Sequence, residues 1–277
     1  MRPIYRVAKA TFFEGWRRRF LNGILVFAIL IIGSSWVFTY LSPGTELKML
    51  IDVGLGSIRF FGMLIAIFLG TRLIPDEIEK RTIYTLLAKP VTRAQFLLGK
   101  FVGGLATVIS NVLLMGVTFY IVFAIKAPQF RDMAATAPGE SSAPSMNFIY
   151  ANVAKAIVLN FFELAVVTAI AVVASVVFSW ILAAVFSFFV YFVGQMSGFF
   201  GYLADPARSA ETSPIARVVL GTIYRILPHF ENFDIRESIV TDVPVSWEHM
   251  GKVAGMGVVY LVIVLMLGYL FFNEREV

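Results

Sequence analysis

Cysteine is absent from the 277 residues. That excludes disulfides, thiolate catalysis and Cys-ligated metal centres in one step. Histidine is nearly absent too, with only His229 and His249, too few for a multi-His metal site within one chain; both read as ordinary loop residues. Charge is the third shortage, at 15% of residues against roughly 25% in soluble domains. No Gly-x-x-x-x-Gly-Lys-Ser/Thr loop occurs: Gly99-Lys100 lacks both the upstream glycine and the following hydroxyl, so the sequence carries no P-loop of its own. The interleaved aromatic and basic pattern of an RNA-binding surface is also missing, so the net charge of +5 does not point to nucleic acid.

Apolar residues fill the space that charge leaves. They make up 58% of the chain, 27 of them Phe, and the mean hydropathy is +0.81. A soluble fold of this size has no interior large enough to hide so much apolar surface; a lipid-facing one need not hide it. Crossing a roughly 30 Å hydrocarbon core as an α-helix takes about 20 apolar residues. Six stretches qualify, at 20–41, 53–74, 96–125, 156–178, 181–203 and 253–272, the fourth and fifth separated by the tight turn Phe178-Ser179-Trp180. The sequence therefore predicts an all-α integral membrane protein with six transmembrane helices in a single domain over 1–277. The first stretch follows Arg17-Arg18-Arg19 and is too long for a signal-peptide core, so it reads as an uncleaved span.

Lysine and arginine set the expected orientation. Arg2, Arg6, Lys9, Arg17, Arg18 and Arg19 precede the first span, and Arg72, Lys80, Arg81, Lys89, Arg93 and Lys100 surround the second connection. The positive-inside rule then puts both termini and the 75–95 loop in the cytoplasm and loops 42–52, 126–155 and 204–252 outside. Residues 1–19 form an N-terminal interfacial amphipathic helix, with Ile4, Ala8, Thr11, Phe12, Gly15 and Trp16 on one stripe and basic residues on another. Residues 214–227 read as an interfacial or re-entrant helix, too short to cross.

The loop at 75–95 carries the clearest local signals. Pro75 suits the first helical position, and Asp76, Glu77 and Glu79 sit in a first turn, where the helix dipole favours anions. Lys89 closes the last turn and Pro90 stops the helix. Ile78, Thr82, Ile83, Leu86 and Leu87 share one face, and Thr92-Arg93-Ala94-Gln95 is a capping box that restarts a helix into the third span. A short amphipathic helix left alone between two spans needs a partner, either the lipid interface or another protein.

The run Glu79…Thr82-Ile83-Tyr84-Thr85-Leu86-Leu87-Ala88-Lys89-Pro90-Val91-Thr92-Arg93…Leu97-Leu98-Gly99-Lys100 resembles the hallmark of type 2 ABC transporter permeases, with Arg81 where many members carry Gly. Leu227-Pro228-His229-Phe230-Glu231-Asn232-Phe233-Asp234 is similar to a Pro-Asn-x-Glu-x-Phe stretch before the last span of that family. The resemblance implies a permease subunit of an exporter in a bacterial or archaeal cell membrane, with a cytoplasmic coupling helix between the second and third spans. By the same resemblance, Asp76, Glu77, Glu79, Arg81, Thr82, Leu86, Leu87, Pro90 and Arg93 couple to two copies of an ABC ATPase subunit, which hold the ATP and Mg, while this chain binds no cofactor and performs no covalent chemistry. A second copy of the chain or a related permease completes the membrane body. A mechanotransmitter passing force to an extracytoplasmic partner fits the same features, and a secondary transporter is a third alternative.

Two charges lie at membrane depth, Arg59 in the second stretch and Glu163 in the fourth. Such residues usually face the bundle interior. They read as a substrate-path pair, as a structural ion pair, or as side chains snorkelling to the interface. Asn111, Asn160 and Gln195 read as bridges between helices, and Gly194 and Gly198 as a close-packing surface.

Overall fold

The computed structural model describes residues 2–40, 45–79, 92–136, 146–205, 213–241 and 243–274, and nearly all of them are helical. In chain order they form α1 (Arg2–Trp16), α2 (Arg19–Thr39), α3 (Glu46–Gly70), α4 (Pro75–Glu79), α5 (Arg93–Thr136), α6 (Met146–Val177), α7 (Trp180–Gln195), α8 (Ser197–Ala204), α9 (Pro214–Ile226), a 3-10 turn (Phe230–Phe233), α10 (Arg236–Val240) and α11 (Trp247–Glu274). Among the described residues, five continuous helices are long and apolar enough to cross a membrane, and the pair α7–α8, bent by 53°, makes a sixth when taken as one broken span.

α3 and α6 are the inner helices. Leu50, Ile51, Ile58 and Ile65 of α3 and Leu159, Leu164 and Val172 of α6 are almost fully buried, whereas α2, α7 and α11 turn Phe27, Phe189 and Tyr269 outward. Arg93 opens α5 just inside its capping box, and both arms of the box are made: the Gln95 amide donates to Thr92 Oγ1 and the Thr92 amide to Gln95 Oε1, each at 3.3 Å. α9 opens on a single-armed cap, with Pro at its start and the Ser213 hydroxyl accepting from the Ala216 amide.

Three elements differ from the hydropathy reading. First, α1 is an amphipathic helix, but its inward stripe is docked on protein. Val7, Thr11 and Gly15 are buried against α5, while Tyr5, Phe13 and Trp16 remain exposed. The fit depends on Gly99 and Gly103: a Cβ at Gly103 would stand 2.5 Å from the Ala8 carbonyl oxygen, and one at Gly99 2.7 Å from Val7 Cβ. Second, α5 runs for 44 residues, about twice the length a roughly 30 Å core requires, so much of the expected 126–155 loop is helix. Phe123, near the end of the apolar stretch of α5, packs on Phe119 of its own helix and on Tyr150 of α6, which ties the two helices of the hairpin together. Third, the fifth span breaks at Met196, and the chain beyond it returns into the bundle.

The glycine groove on α5 yields a direct expectation. Gly103→Val forces α1 away from α5 and lowers stability by about 1–3 kcal/mol, as overpacking does. Gly23→Ala, at a site with nothing within 4 Å, leaves stability unchanged or raised. Thermal unfolding in detergent, with protease release of α1 as second readout, checks both.

Candidate functional site

Arg59 projects from the middle of α3 into the bundle and is 7% exposed; Glu163 of α6 is fully buried. An arginine fork has five donors, and one carboxylate cannot serve them all. The chain brings three acceptors to it. Arg59 Nε donates to both Glu163 oxygens at 3.0 and 2.8 Å, one terminal nitrogen to Asp234 Oδ2 at 2.6 Å, and the other to the Phe230 carbonyl at 2.9 Å. Gln195 of α7 donates to Glu163 Oε1 at 2.7 Å, and the Tyr191 ring stands beside the group against Phe230. Asp234 is shared with Arg236, whose Nε and Nη2 donate to it. Two positive and two negative side chains balance within the bonded group, with the Asp52 carboxylate acting on Arg236 from beside it; such pairing is the arrangement under which charge survives in an apolar bundle.

The segment that delivers Phe230 and Asp234 is the returning chain. It lies against the α7–α8 bend, where Gly194 and Gly198 leave room for it. A Cβ at Gly194 would come within 2.5 Å of the Phe230 ring, and one at Gly198 would strike the Glu231 carboxylate. Glu231 instead accepts from the Gly198 amide at 2.7 Å, at the first turn of α8. The Gly194–Gly198 spacing thus admits the Pro228 carbonyl and the Phe230 and Glu231 side chains, not a neighbouring span. The expected helix at 214–227 is α9, packed on α8 with Ile215, Val218 and Ile226 exposed.

Asp234 lies outside the spans. Burial alone pushes its carboxyl up, but the hydrogen bonds from Arg236 and the charges of Arg59 and Arg236 outweigh burial and hold it below the usual range.

The other end of the bundle carries the residues that the family hallmark singles out. Arg81, Thr82, Leu86, Leu87 and Pro90 lie outside the described residues. Asp76, Glu77 and Glu79 form α4, and the first two face protein. Arg18 donates to Asp76 at 2.7 Å and to Glu14 at 3.0 Å, and Lys100 pairs with Glu77 at 2.5 Å. Glu79 is exposed. Arg93 donates to the carbonyls of Phe272 and Asn273, both at 3.0 Å, and so caps the last turn of α11. These pairs join α1, α4, α5 and α11 into one platform.

Sequence reasoning named Arg59 and Glu163 but not Asp234 or Arg236 as their company. The shortage of acceptors for a buried guanidinium was the available signal, and Asp234 already stood in the Leu227–Asp234 run. Of the expected bridging amides, Gln195 links α7 to α6, whereas Asn111 bonds the Thr107 carbonyl of its own helix at 2.7 Å.

Comparison with known proteins adds two findings. The sequence matches the family described as ABC-2 family transporter protein over residues 10–277. It is 37% identical over 108 residues to a probable ABC transporter permease protein, NosY, of Stutzerimonas stutzeri; the aligned stretch covers 37% of this chain and 39% of that relative, less than half of either.

Glu163→Ala, which leaves Arg59 buried without its main partner, is expected to lose about 3–5 kcal/mol. The double variant Arg59→Met/Glu163→Leu loses less than that single change, because Asp234 keeps Arg236; a double-mutant cycle of unfolding in detergent checks the order. Asp234 has its folded pKa lowered, so its contribution is present above the ordinary carboxylate value of about 4 and is lost as pH falls below it. Asp234→Asn therefore shows a shallower acid limb in melting temperature between about pH 5 and pH 3.

Proposed function

Because this chain belongs to the ABC-2 family of transporter proteins and is an ABC transporter permease, we propose that it forms half of the membrane body of an ATP-driven exporter, with a separate ATPase beneath the α1–α4–α5 platform. The observation that carries this reading is the build of that platform. α4 follows directly on α3, its Asp76 and Glu77 are bonded to Arg18 and Lys100, and Arg93 at the start of α5 grips the end of α11. A load applied beside α4 therefore reaches α1, α3, α5 and α11 together. Exposed Glu79 leads into residues 80–91, whose Leu86-Leu87 and Pro90 are the segment offered to the ATPase.

The excess of Lys and Arg at this end supports a cytoplasmic placement for it. Two ATPase subunits bind ATP and Mg there, and two permease chains pair across the membrane. Closure of the ATPases shifts α3 and α5, and the Arg59 cluster passes the shift on α3 to the returning segment at the far end. Transmission of force to an extracytoplasmic partner, with no cargo moved, is the second reading, favoured by the charged clasp that ties this segment to α3.

The experiment is reconstitution with the cognate ATPase. Glu79→Lys combined with Leu86→Ala is expected to weaken the complex about tenfold and to remove stimulation of ATP hydrolysis. Unchanged affinity and stimulation would overturn the coupling role. Asp76→Asn, by contrast, is expected to loosen α1 without abolishing assembly.

A further inference from the structure

We propose that the elbow between α1 and α2 is a binding site for an anionic glycerophospholipid, with the headgroup phosphate among Arg17, Arg19 and Arg72 and an acyl chain in the cleft between α3 and α7. Two adjoining features carry this. The first is a cavity of about 1020 Å³ at the elbow, lined by Arg17, Arg18, Arg19, Arg72 and Trp180. The second is a wholly apolar cleft of about 340 Å³, lined by Leu64, Ile67, Ile181, Ala184, Val185 and Phe188. Phe68 and Trp180 line both, so the charged cavity opens onto the apolar cleft.

The local chain explains the charge. α1 ends at Trp16 and α2 begins at Arg19, and Arg18 between them is extended, so three consecutive arginines crowd one corner. Arg18 is committed to Glu14 and Asp76. Arg72 lies with its guanidinium 4.1 Å from the centre of the Trp180 ring, leaving its edge donors directed elsewhere. With Glu14 and Asp76 offset by two of the four arginines, the cavity keeps an excess of two positive charges beside lipid-facing surface. Trp180 marks the level of the interface, as tryptophan does at span ends. Basic pockets between spans on the positive side take up anionic headgroups.

The combination selects the occupant. A free phosphate would use the arginines but not the cleft. A zwitterionic lipid would fill the cleft but bring no net charge to the arginines. A second copy placed here about a twofold axis would set like charges against each other, since such an interface apposes the same patch. Only an anionic amphiphile satisfies both halves.

The test is native mass spectrometry of the full chain in detergent, titrated separately with phosphatidylglycerol, phosphatidylcholine and glycerol phosphate. Phosphatidylglycerol is expected to be retained at least tenfold more tightly than phosphatidylcholine, and glycerol phosphate not to be retained. Arg17 and Arg19 are exposed, so Arg17→Ala/Arg19→Ala keeps the wild-type melting temperature while losing about ten- to thirtyfold in phosphatidylglycerol affinity. Ala184→Phe, which fills the cleft and leaves every arginine in place, is expected to weaken the same lipid. Equal retention of the two lipids, or undiminished phosphatidylglycerol binding in the arginine variant, would overturn the site. So would efficient disulfide-linked dimers of Ile181→Cys in membranes, since the chain has no other cysteine and such dimers would show a second copy covering the cleft.

Discussion

A guanidinium held inside an apolar bundle needs acceptors on every side, and Arg59 organises the far half of this molecule by that need. Glu163 supplies the counter-charge from the neighbouring inner helix, but its two oxygens face only Nε. The remaining edge of the fork is open unless some other segment reaches into the bundle. The returning chain does so, bringing the Phe230 carbonyl and Asp234. Non-helical backbone inside an apolar bundle is tolerated only where it is buried in protein, and here it is covered by α6, α7 and α3. The bend at Met196 and the glycines at 194 and 198 follow from the same requirement, because an unbroken fifth span with larger residues would occupy the space the segment fills.

α3 links the two halves of the account. Its middle carries Arg59, and its end runs through Thr71–Ile74 into α4, which is bonded to α1 and α5. One stiff inner helix thus joins an ion-paired platform at the basic end to a charge-clasped segment at the other. The proposed coupling to a separate ATPase requires such a member. Buried ion pairs add little net stability over apolar packing, yet breaking one is costly, so the clasp is better understood as fixing position than as strengthening the fold.

The architecture was largely legible from the sequence because bilayer crossing imposes a length and a composition. The five continuous spans and the bent α7–α8 pair could be located from apolar runs, and the start of α5 from Thr92 and Gln95. What was not legible arises from contacts between distant residues. Hydropathy cannot distinguish a straight fifth span from one bent at Met196, since both are apolar throughout. It also cannot distinguish an amphipathic helix lying on lipid from α1 docked on Gly99 and Gly103, because either surface asks for the same stripe. The cluster was half legible: two intramembrane charges imply partners, but Asp234 lies 175 residues from Arg59, and only folding reveals that the loop re-enters.

The central claim is that Arg59 holds residues 228–236 inside the bundle, and backbone hydrogen exchange over that segment tests it most directly. In the wild-type chain in nanodiscs these amides are predicted to be protected although they lie largely outside regular helix. In Arg59→Met the account predicts that their exchange rises by an order of magnitude or more while the core of α5 stays protected. Unchanged protection of 228–236 in that variant would contradict it, and would mean that apolar packing of Phe230 and Phe233, not the buried charge, keeps the segment in place.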